Sequence, residues 1–475
     1  MSNNDISMRG AAIIQFASKY ASIAVQLIIT AILSRLVSAE EFGLMSIINV
    51  FTAFFQLFSD MGLGTAIIQF RNLDDRDVGG LFFFSCLMAV VLTGVFCVAS
   101  IPISVFYGDS SLIMLCIAAS PSLLFSTLNM VPNGLMLRNR CFSLIGMRLI
   151  VATTLSGVVA TCIAFGGGGA YSLVAQTTIM TGFVFVWNFI SQPIKKINFH
   201  FMEPLKKVFS YSAYQFGFTA VNYFSRNLDK LIIGRVLGTA ATGYYDKAYK
   251  LTTYPLSSFA SIIGSIIQPF MAEHQHEPDA IYQCWMRVSK VLSVIGVAIS
   301  VIFFCASSEI INLFYGPGWS ESTPIFTILS ITVYFQIMGN PSGGFFQSSG
   351  RTDLMFRSSL ITTSLTILGL VLGLAGGSLI SVAFGIAAAF CLHMIPLVYY
   401  LIIRAFGKSI ACLKAFLPEV IVGVLSAFIC KIIAPIFPTG DLLSLLCKLV
   451  LLVGLLLVGY QMTGQIDEMK EVLRR

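Results

Sequence analysis

About fourteen long apolar stretches follow one another along this chain, and each has close to the twenty residues that a helix needs to cross a bilayer. The segments between them are too short to fold as domains. Inside lipid every backbone N–H and C=O must find an internal partner, so these stretches predict transmembrane helices. Hydrophobic residues make up 56% of the chain and charged residues 11%, which excludes a soluble domain. We therefore expect an all-α integral membrane protein with about 14 transmembrane helices.

The charge distribution predicts how these helices are oriented. The expected spans are 11–36, 42–66, 79–105, 111–136, 144–165, 170–192, 208–238, 243–270, 288–310, 323–347, 358–376, 379–404, 411–433 and 442–463. If the N-terminus is cytoplasmic, most of the 29 Lys and Arg residues lie on the cytoplasmic side. The exceptions are Arg35, Arg235, Lys247, Lys431 and Lys448. The positive-inside rule then predicts that both termini are cytoplasmic. The same distribution explains the net charge of +7 without nucleic acid as a partner.

Short motifs recur along the chain at a nearly constant offset. The segment from Ile32 to Gly43 returns as Ile232 to Gly243, with Arg35 and Arg235 at matching positions. The other recurrences are Phe106-Tyr107-Gly108 as Phe314-Tyr315-Gly316, and Pro132 with Gly134 as Pro341 with Gly343. Six spans repeated in the same orientation predict two six-helix lobes related by a pseudo-twofold axis along the membrane normal. We expect lobes at 1–200 and 201–405, with two further helices and a cytoplasmic tail in 406–475.

Polar residues at helical spacing mark the two leading spans of each repeat. They are Gln15, Lys19, Ser22, Gln26 and Thr30; Ser46, Asn49, Gln56 and Asp60; Tyr211, Gln215, Asn222, Arg226, Asp229 and Lys230; and Asp246, Lys250, Thr253, Ser257 and Ser261. Polar stripes cannot face lipid, because a charge at mid-membrane costs roughly 3 kcal/mol. The four stripes therefore predict a shared, water-filled cavity.

The charges on these stripes favour an anionic ligand. The stripes carry four cations, Lys19, Arg226, Lys230 and Lys250, and one mid-span acid, Asp229. The acids Asp60 and Asp246 lie nearer the span ends. Arginine and lysine together suit the oxygens of a phosphate group. The alternative is that Arg226, Asp229 and Lys230 merely neutralise one another. Neutralisation by Asp229 does not account for all four cations.

Several segments resemble one family, the polysaccharide transporters (Wzx-type flippases) of the multidrug/oligosaccharidyl-lipid/polysaccharide exporter superfamily. The segments are LSRLVSAEEFGLM from Leu33, DMGLGTAIIQ from Asp60, NLDKLIIGRVLG from Asn227, GYYDKAYKL from Gly243, Gly316 to Trp319, and GNPSGGFFQSSGRTD from Gly339. They extend over most of the chain and look most similar to the colanic acid and teichuronic acid exporter branch.

The resemblance implies alternating access that carries an undecaprenyl-diphosphate-linked oligosaccharide across the bacterial cytoplasmic membrane. The diphosphate is expected at Lys19, Arg226, Lys230 and Lys250. The glycan is expected along Gln15, Ser22, Gln26, Asn49, Gln56, Gln215, Asn222 and Thr253. The resemblance further implies H⁺ or Na⁺ coupling, for which Asp229 and Asp60 are the candidates. It implies no cofactor, and a polysaccharide polymerase and chain-length machinery are candidate partners.

Two other functions stay open at this stage. A drug or cation antiporter of the same superfamily would share the lobes but would need acids for a cationic substrate. A membrane-embedded glycan-processing enzyme could use the motif Asp75-Arg76-Asp77 or a metal at His274 and His276, but both lie in short loops. Trp319 is expected either at the membrane interface or stacked on a sugar.

Overall fold

All regular structure of the described residues is helical in the computed structural model of this chain. The described residues are 8–60, 67, 73–194, 197–199, 201–202, 223, 227–272, 277–438 and 440–474. Among them, 12 helices are long and apolar enough to span a membrane. The prediction of an all-α, multi-pass membrane protein is therefore confirmed.

The chain divides into two compact units, Met1–Gly243 and Tyr244–Arg475. The first contains α1 (Met8–Leu36), α2 (Ala39–Asp60), α3 (Asp75–Tyr107), α4 (Ser111–Leu128), α5 (Met130–Arg138), α6 (Phe142–Phe165), α7 (Ala170–Ser191) and the start of α8 (Thr239–Ala272). The second contains the rest of α8, with α9 (Pro278–Cys305), α10 (Ser307–Tyr315), α11 (Ser322–Gly339), α12 (Ser342–Ser348), α13 (Thr352–Ala375), α14 (Leu379–Leu392), α15 (Leu417–Ile433), α16 (Asp441–Met462) and α17 (Gln465–Arg474). A π-helical segment, Val398–Ala405, continues the span of α14, and a 3₁₀ segment, Ile410–Phe416, leads into α15. The predicted lobe boundaries at 200 and 405 stay predictions.

The twelve observed spans coincide with twelve of the predicted ones. The predicted span 208–238 lies mostly outside the described residues, and the predicted span 243–270 lies within α8. The count of fourteen therefore stays a prediction.

Two helices that lack polar stripes expose long rows of aliphatic side chains. The exposed residues are Val90, Val91, Val95, Val98, Ile101 and Val105 on α3, and Leu442, Leu443, Leu446, Val450, Val453, Leu457 and Val458 on α16. Soluble proteins rarely expose continuous apolar surfaces of this kind. These faces fit contact with lipid.

A single carboxylate, that of Glu41, caps the starts of two helices. Its Oε2 accepts hydrogen bonds from the backbone N–H and the hydroxyl of Ser38, both at 2.9 Å, just before α2. Its Oε1 accepts a bond of 3.1 Å from the N–H of Ala170 at the start of α7. The first N–H groups of a helix have no partner within the helix, so this acid satisfies donors of both.

The repeated motifs adopt the same local structure in both halves of the chain. Tyr107 and Tyr315 each end a helix, and each is followed by a glycine with positive φ, 71° at Gly108 and 93° at Gly316. Glycine is favoured there because a Cβ is strained in that conformation. The spans that contain Pro132 and Pro341 are both interrupted, between α4 and α5 and between α11 and α12.

Five cations are predicted on the outer side, and each contacts a carbonyl oxygen, an aromatic ring or a carboxylate. Arg35 donates to the carbonyl oxygen of Ala31, Arg235 lies over Phe106, Lys431 lies over Phe304, Lys247 lies over Tyr315 and Trp319, and Lys448 pairs with Glu309. Contacts with π faces and carboxylates offset the cost of holding a cation at an apolar site.

The ion pair of Lys448 and Glu309 joins α16 to α10. The Lys448 Nζ lies 2.5 Å from Glu309 Oε1, and both side chains are about nine-tenths buried. Ser444 donates to the same oxygen at 2.9 Å. Burial alone would raise the pKa of Glu309, but hydrogen bonds from Lys448, Ser444 and Ser308 hold this pKa below its usual value. The carboxylate is therefore charged and bonded in the folded protein.

Replacing Glu309 by Gln should lower the free energy of unfolding by about 3 kcal/mol, because Lys448 would remain as an uncompensated buried charge. Thermal unfolding in detergent measures this effect. The double variant Glu309→Gln with Lys448→Met should recover much of the loss, and Lys408→Met, which breaks the exposed pair with Asp279, should cost less than about 1 kcal/mol. The pair should stabilise above the ordinary carboxyl pKa of about 4.3, and its effect should be lost as pH falls through the lower folded pKa. A double variant less stable than the single one would contradict this account.

Candidate functional site

The predicted polar stripe of α1 is divided between inter-helix contacts and partly exposed positions. Ser22 is buried, and its Oγ lies 2.9 Å from Oγ1 of Thr153 on α6. Gln26 donates to the hydroxyl of Thr30 at 3.3 Å, one turn along α1. Lys19 is half-buried. This stripe therefore contributes both to helix packing and to a partly accessible polar surface.

The predicted stripe of α2 lies beside residues of the predicted seventh span. The Tyr223 hydroxyl donates to the carbonyl oxygen of Val50 at 2.6 Å, next to the exposed Asn49. Half-buried Gln56 lies further along α2. Tyr223, a described residue of the predicted seventh span, thus contacts α2 within the first unit, and the shared polar surface stays a prediction.

The acid and base that follow Tyr223 lie in the same unit. Asp229 is buried, and its Oδ1 accepts a 2.8 Å hydrogen bond from the backbone N–H of Lys230. The Lys230 side chain is half-buried. Asp229 therefore has a local donor in addition to any cation.

In the second unit, Lys250 shares its charge with an acid on its own helix. Its Nζ lies 2.6 Å from Oδ2 of Asp246, four residues earlier on α8, and its side chain is 48% exposed. Thr253 donates back to the carbonyl oxygen of Lys250 at 2.9 Å. Only 5% of the Asp246 side chain is exposed, but about half of the Lys250 side chain is accessible, so a second anion can also contact this lysine.

The remaining predicted site residues fall outside what the structure describes. Arg226, Gln215 and Asn222 lie outside the described residues, as do the side chains of Gln15 and Asp60. Their roles stay predictions.

Two buried polar clusters were not predicted from the sequence. In the second unit the Lys290 Nζ contacts Glu419 at 2.8 Å, Glu468 at 3.0 Å and the carbonyl oxygen of Ala415 at 2.6 Å, which joins α9, α15 and α17. In the first unit Arg148 lies buried on α6 among asparagines. The signal in the sequence was a lone charge within an otherwise apolar span, which marks a functional or paired residue.

The motifs of the enzyme alternative have structural roles or lie outside the described residues. Asp74 caps α3 by accepting from the N–H groups of Arg76 and Asp77, so Asp75 and Asp77 lie in the first turn of a helix. His274 and His276 lie outside the described residues.

Trp319 is buried among aromatic side chains in this structure. It is only 2% exposed and packs on Tyr244 and Tyr315, with the Lys247 Nζ 5.3 Å from its ring. Its ring is therefore not open to a sugar here, and its position at the membrane interface stays a prediction.

The two repeat-related glycines of the Ile32 and Ile232 segments pack against each other within the first unit. A Cβ on Gly43 would overlap the carbonyl oxygen of Thr239, and a Cβ on Gly243 would overlap that of Ala39. The contact is reciprocal, because the absence of a Cβ at each glycine allows the first residue of the other glycine's helix to approach closely. The first turns of α2 and α8 therefore depend on glycine at both positions.

Comparison with other sequences points to one family. A sequence profile described as "Polysaccharide biosynthesis protein" matches residues 32–324. The teichuronic acid biosynthesis protein TuaB of Bacillus subtilis (strain 168) is 24% identical over 361 residues, which are 76% of this chain and 75% of TuaB. The lipopolysaccharide biosynthesis protein WzxC of Escherichia coli (strain K12) is 23% identical over 396 residues, which are 80% of this chain and 77% of WzxC.

The fold also matches solved structures. The lipid II flippase MurJ in an inward closed conformation superimposes with a TM-score of 0.76 and 15% identity. The match covers 95% of this chain and 98% of that chain. At this identity the likeness concerns the fold alone.

Alanine at Gly43 or Gly243 should destabilise the first unit, because the added methyl group collides with a backbone oxygen that cannot rotate away. Gly94→Ala is the matched control, since a Cβ at that position in α3 meets nothing within 4 Å. Removing a glycine from a helix interior is otherwise favourable by about 1 kcal/mol. Melting temperatures in detergent should therefore fall for Gly43→Ala and Gly243→Ala and stay level or rise for Gly94→Ala. Equal behaviour of all three variants would contradict the contact.

Proposed function

Because the chain belongs to the polysaccharide biosynthesis protein family, we propose that it is a flippase for undecaprenyl-diphosphate-linked oligosaccharide repeat units. It moves them from the inner to the outer leaflet of the bacterial cytoplasmic membrane by alternating access. The product serves a surface polysaccharide, whether O antigen, capsule or exopolysaccharide. The observation that carries the proposal is the family match over residues 32–324. Relatives named for teichuronic acid and lipopolysaccharide biosynthesis, and the fold of a lipid II flippase, support it.

The diphosphate of this substrate binds the cations of the polar stripes. Lys19, Arg226, Lys230 and Lys250 supply charge-assisted donors for phosphate oxygens. About half of the Lys250 side chain is exposed beside Asp246, so its ammonium group can also donate to a phosphate oxygen. Gln26, Asn49, Gln56 and the other predicted polar residues bind glycan hydroxyls, and the prenyl chain stays in lipid.

Transport is coupled to an ion gradient through H⁺ or Na⁺. Asp229 and Asp60 are the proposed ion-binding acids, since intramembrane carboxylates mark ion pathways. Both termini lie in the cytoplasm, as the positive-inside pattern indicates. A polysaccharide polymerase and chain-length machinery are the proposed partners on the outer side.

Deleting the gene should cause undecaprenyl-diphosphate-linked repeat units to accumulate, with loss of surface polysaccharide. Mass spectrometry of extracted lipids measures the first, and staining of cell-surface polymer measures the second. Unchanged intermediates together with greater sensitivity to cationic drugs would overturn the proposal in favour of a drug or cation antiporter.

Replacing cations of the stripe should block export without preventing insertion. Arg226→Ala or Lys19→Ala should each reduce export about tenfold, and Arg226→Ala with Lys230→Ala about a hundredfold, because each removes a charge-assisted bond to phosphate. Export is measured as surface polymer per unit of protein in the membrane. The control is Lys408→Ala with Lys414→Ala, which removes one half-buried and one exposed cation from the second unit and should leave export unchanged. Normal export by the Arg226, Lys230 double variant would refute the assignment of these cations.

A further inference from the structure

One arginine of the first unit is buried without an acidic partner among the described residues. Arg148 lies on α6 and is 8% exposed. None of the ion pairs among the described residues includes it. A guanidinium group stays charged in proteins, so its burial requires hydrogen bonds and a compensating charge. Only the hydrogen bonds are present.

Two asparagines accept hydrogen bonds from this guanidinium, and a third bonds to one of them. The Nη1 of Arg148 donates to Oδ1 of Asn188 at 2.5 Å and to Oδ1 of Asn133 at 3.3 Å. Asn188 in turn donates to Oδ1 of Asn129 at 2.8 Å. The Nε of Arg148 is buried and has no hydrogen-bond partner within the described part of the chain. The cluster therefore binds a full positive charge with neutral acceptors, and the Nε–H of Arg148 remains available to donate a hydrogen bond.

The arginine at the corresponding position of the second half has different surroundings. In the sequence repeat α13 corresponds to α6, and its arginine, Arg357, is exposed. In the interrupted span before α13, Asn340 donates to the carbonyl oxygen of Leu256 at 3.2 Å. The burial of Arg148 is thus not repeated at the corresponding position.

The cluster lies near one end of the first unit. Arg148 is the seventh residue of α6, about 9 Å along the axis from Phe142. Asn188 lies in the last turn of α7, and Asn133 lies within α5. In the orientation proposed above this end faces the cytoplasm. Arg138, at the end of α5, and Arg140, before the start of α6, lie at the same end.

We propose that Arg148, with Asn133 and Asn188, forms a binding site for the phosphate group of a lipid at the inner leaflet. The phosphate supplies the negative charge that the cluster lacks and accepts from the remaining guanidinium donors. The phosphate belongs either to a prenyl diphosphate or to an anionic phospholipid. The first source rests on the proposed function, because it makes the site the entry point of the substrate, whereas the second does not.

An aspartate at position 188 tests this site by supplying the missing charge from the protein itself. Asn188→Asp is nearly isosteric and places a carboxylate against Nη1. It should leave the melting temperature of the unliganded protein equal or higher, and should weaken phosphate binding about tenfold or more because the guanidinium is already neutralised. A purely structural arginine would show the same stability and unchanged binding. Asn133→Asp is the second variant, should Asn188→Asp fail to fold.

The matched control is Gln192→Glu, which adds the same charge just beyond the end of α7. Gln192 accepts from Asn139 at 2.8 Å and makes no bond to Arg148, so phosphate binding should stay at the wild-type level. The control separates local neutralisation of Arg148 from a general decrease in positive charge.

The probes distinguish the two lipid sources. Purified protein in phosphatidylcholine nanodiscs is titrated with farnesyl diphosphate, and its melting temperature is compared with that in nanodiscs containing phosphatidylglycerol. Binding of farnesyl diphosphate that Asn188→Asp weakens identifies a prenyl diphosphate site. A melting shift only with phosphatidylglycerol, lost in Asn188→Asp, identifies a phospholipid site. Wild-type binding in both aspartate variants, or no effect of either lipid on the wild type, overturns the proposal.

A parallel export assay separates this site from the proposed function. If gene deletion blocks export while Asn188→Asp exports normally and binds as the wild type does, the site is refuted and the flippase function stands. If deletion leaves lipid-linked intermediates unchanged, the flippase function fails, whatever Arg148 binds.

Discussion

The hydrocarbon of a bilayer supplies no partner for a charge, and this constraint explains most polar contacts of the structure. Lys448 pairs with Glu309 at one end of α16, and Lys290 pairs with Glu419 near the start of α15. Aromatic rings also contact buried cations, as for Lys247 over Tyr315. Arg148 differs, since its hydrogen-bond partners among the described residues are neutral amides. The difference is informative because the buried cations Lys290 and Lys448 each pair with an acid.

The elements that the sequence predicts well are those that depend on local patterns. Apolar length identified the spans because the thickness of the bilayer sets it. The repeat predicted that Tyr107 and Tyr315 would occupy equivalent places, and both end a helix before a glycine with positive φ. The breaks near Pro132 and Pro341 have a local contribution, because proline disfavours a helix interior, although α3 and α4 continue through Pro102 and Pro121.

The contacts that the sequence did not predict join residues far apart in the chain. Lys290 and Glu419 lie in separate spans, and no spacing rule connects them. Trp319 is buried because α8 supplies Tyr244 and Lys247 beside it, which a motif in a loop cannot reveal. The Lys250–Asp246 pair is different, since i, i+4 spacing on one helix face makes it predictable. The pair was not predicted because Asp246 lies near the end of a predicted span.

The capping of two helices by Glu41 has a consequence for the order in which the chain is made. Ser38 is available to this carboxylate as soon as α2 has formed, but Ala170 is translated only after three further spans. Until then the bond to Oε1 of Glu41 cannot form. Once α7 is in place, the N–H of Ala170 donates to that oxygen. Biogenesis of this unit therefore includes a step in which the sixth span bonds to an acid that was inserted with the second.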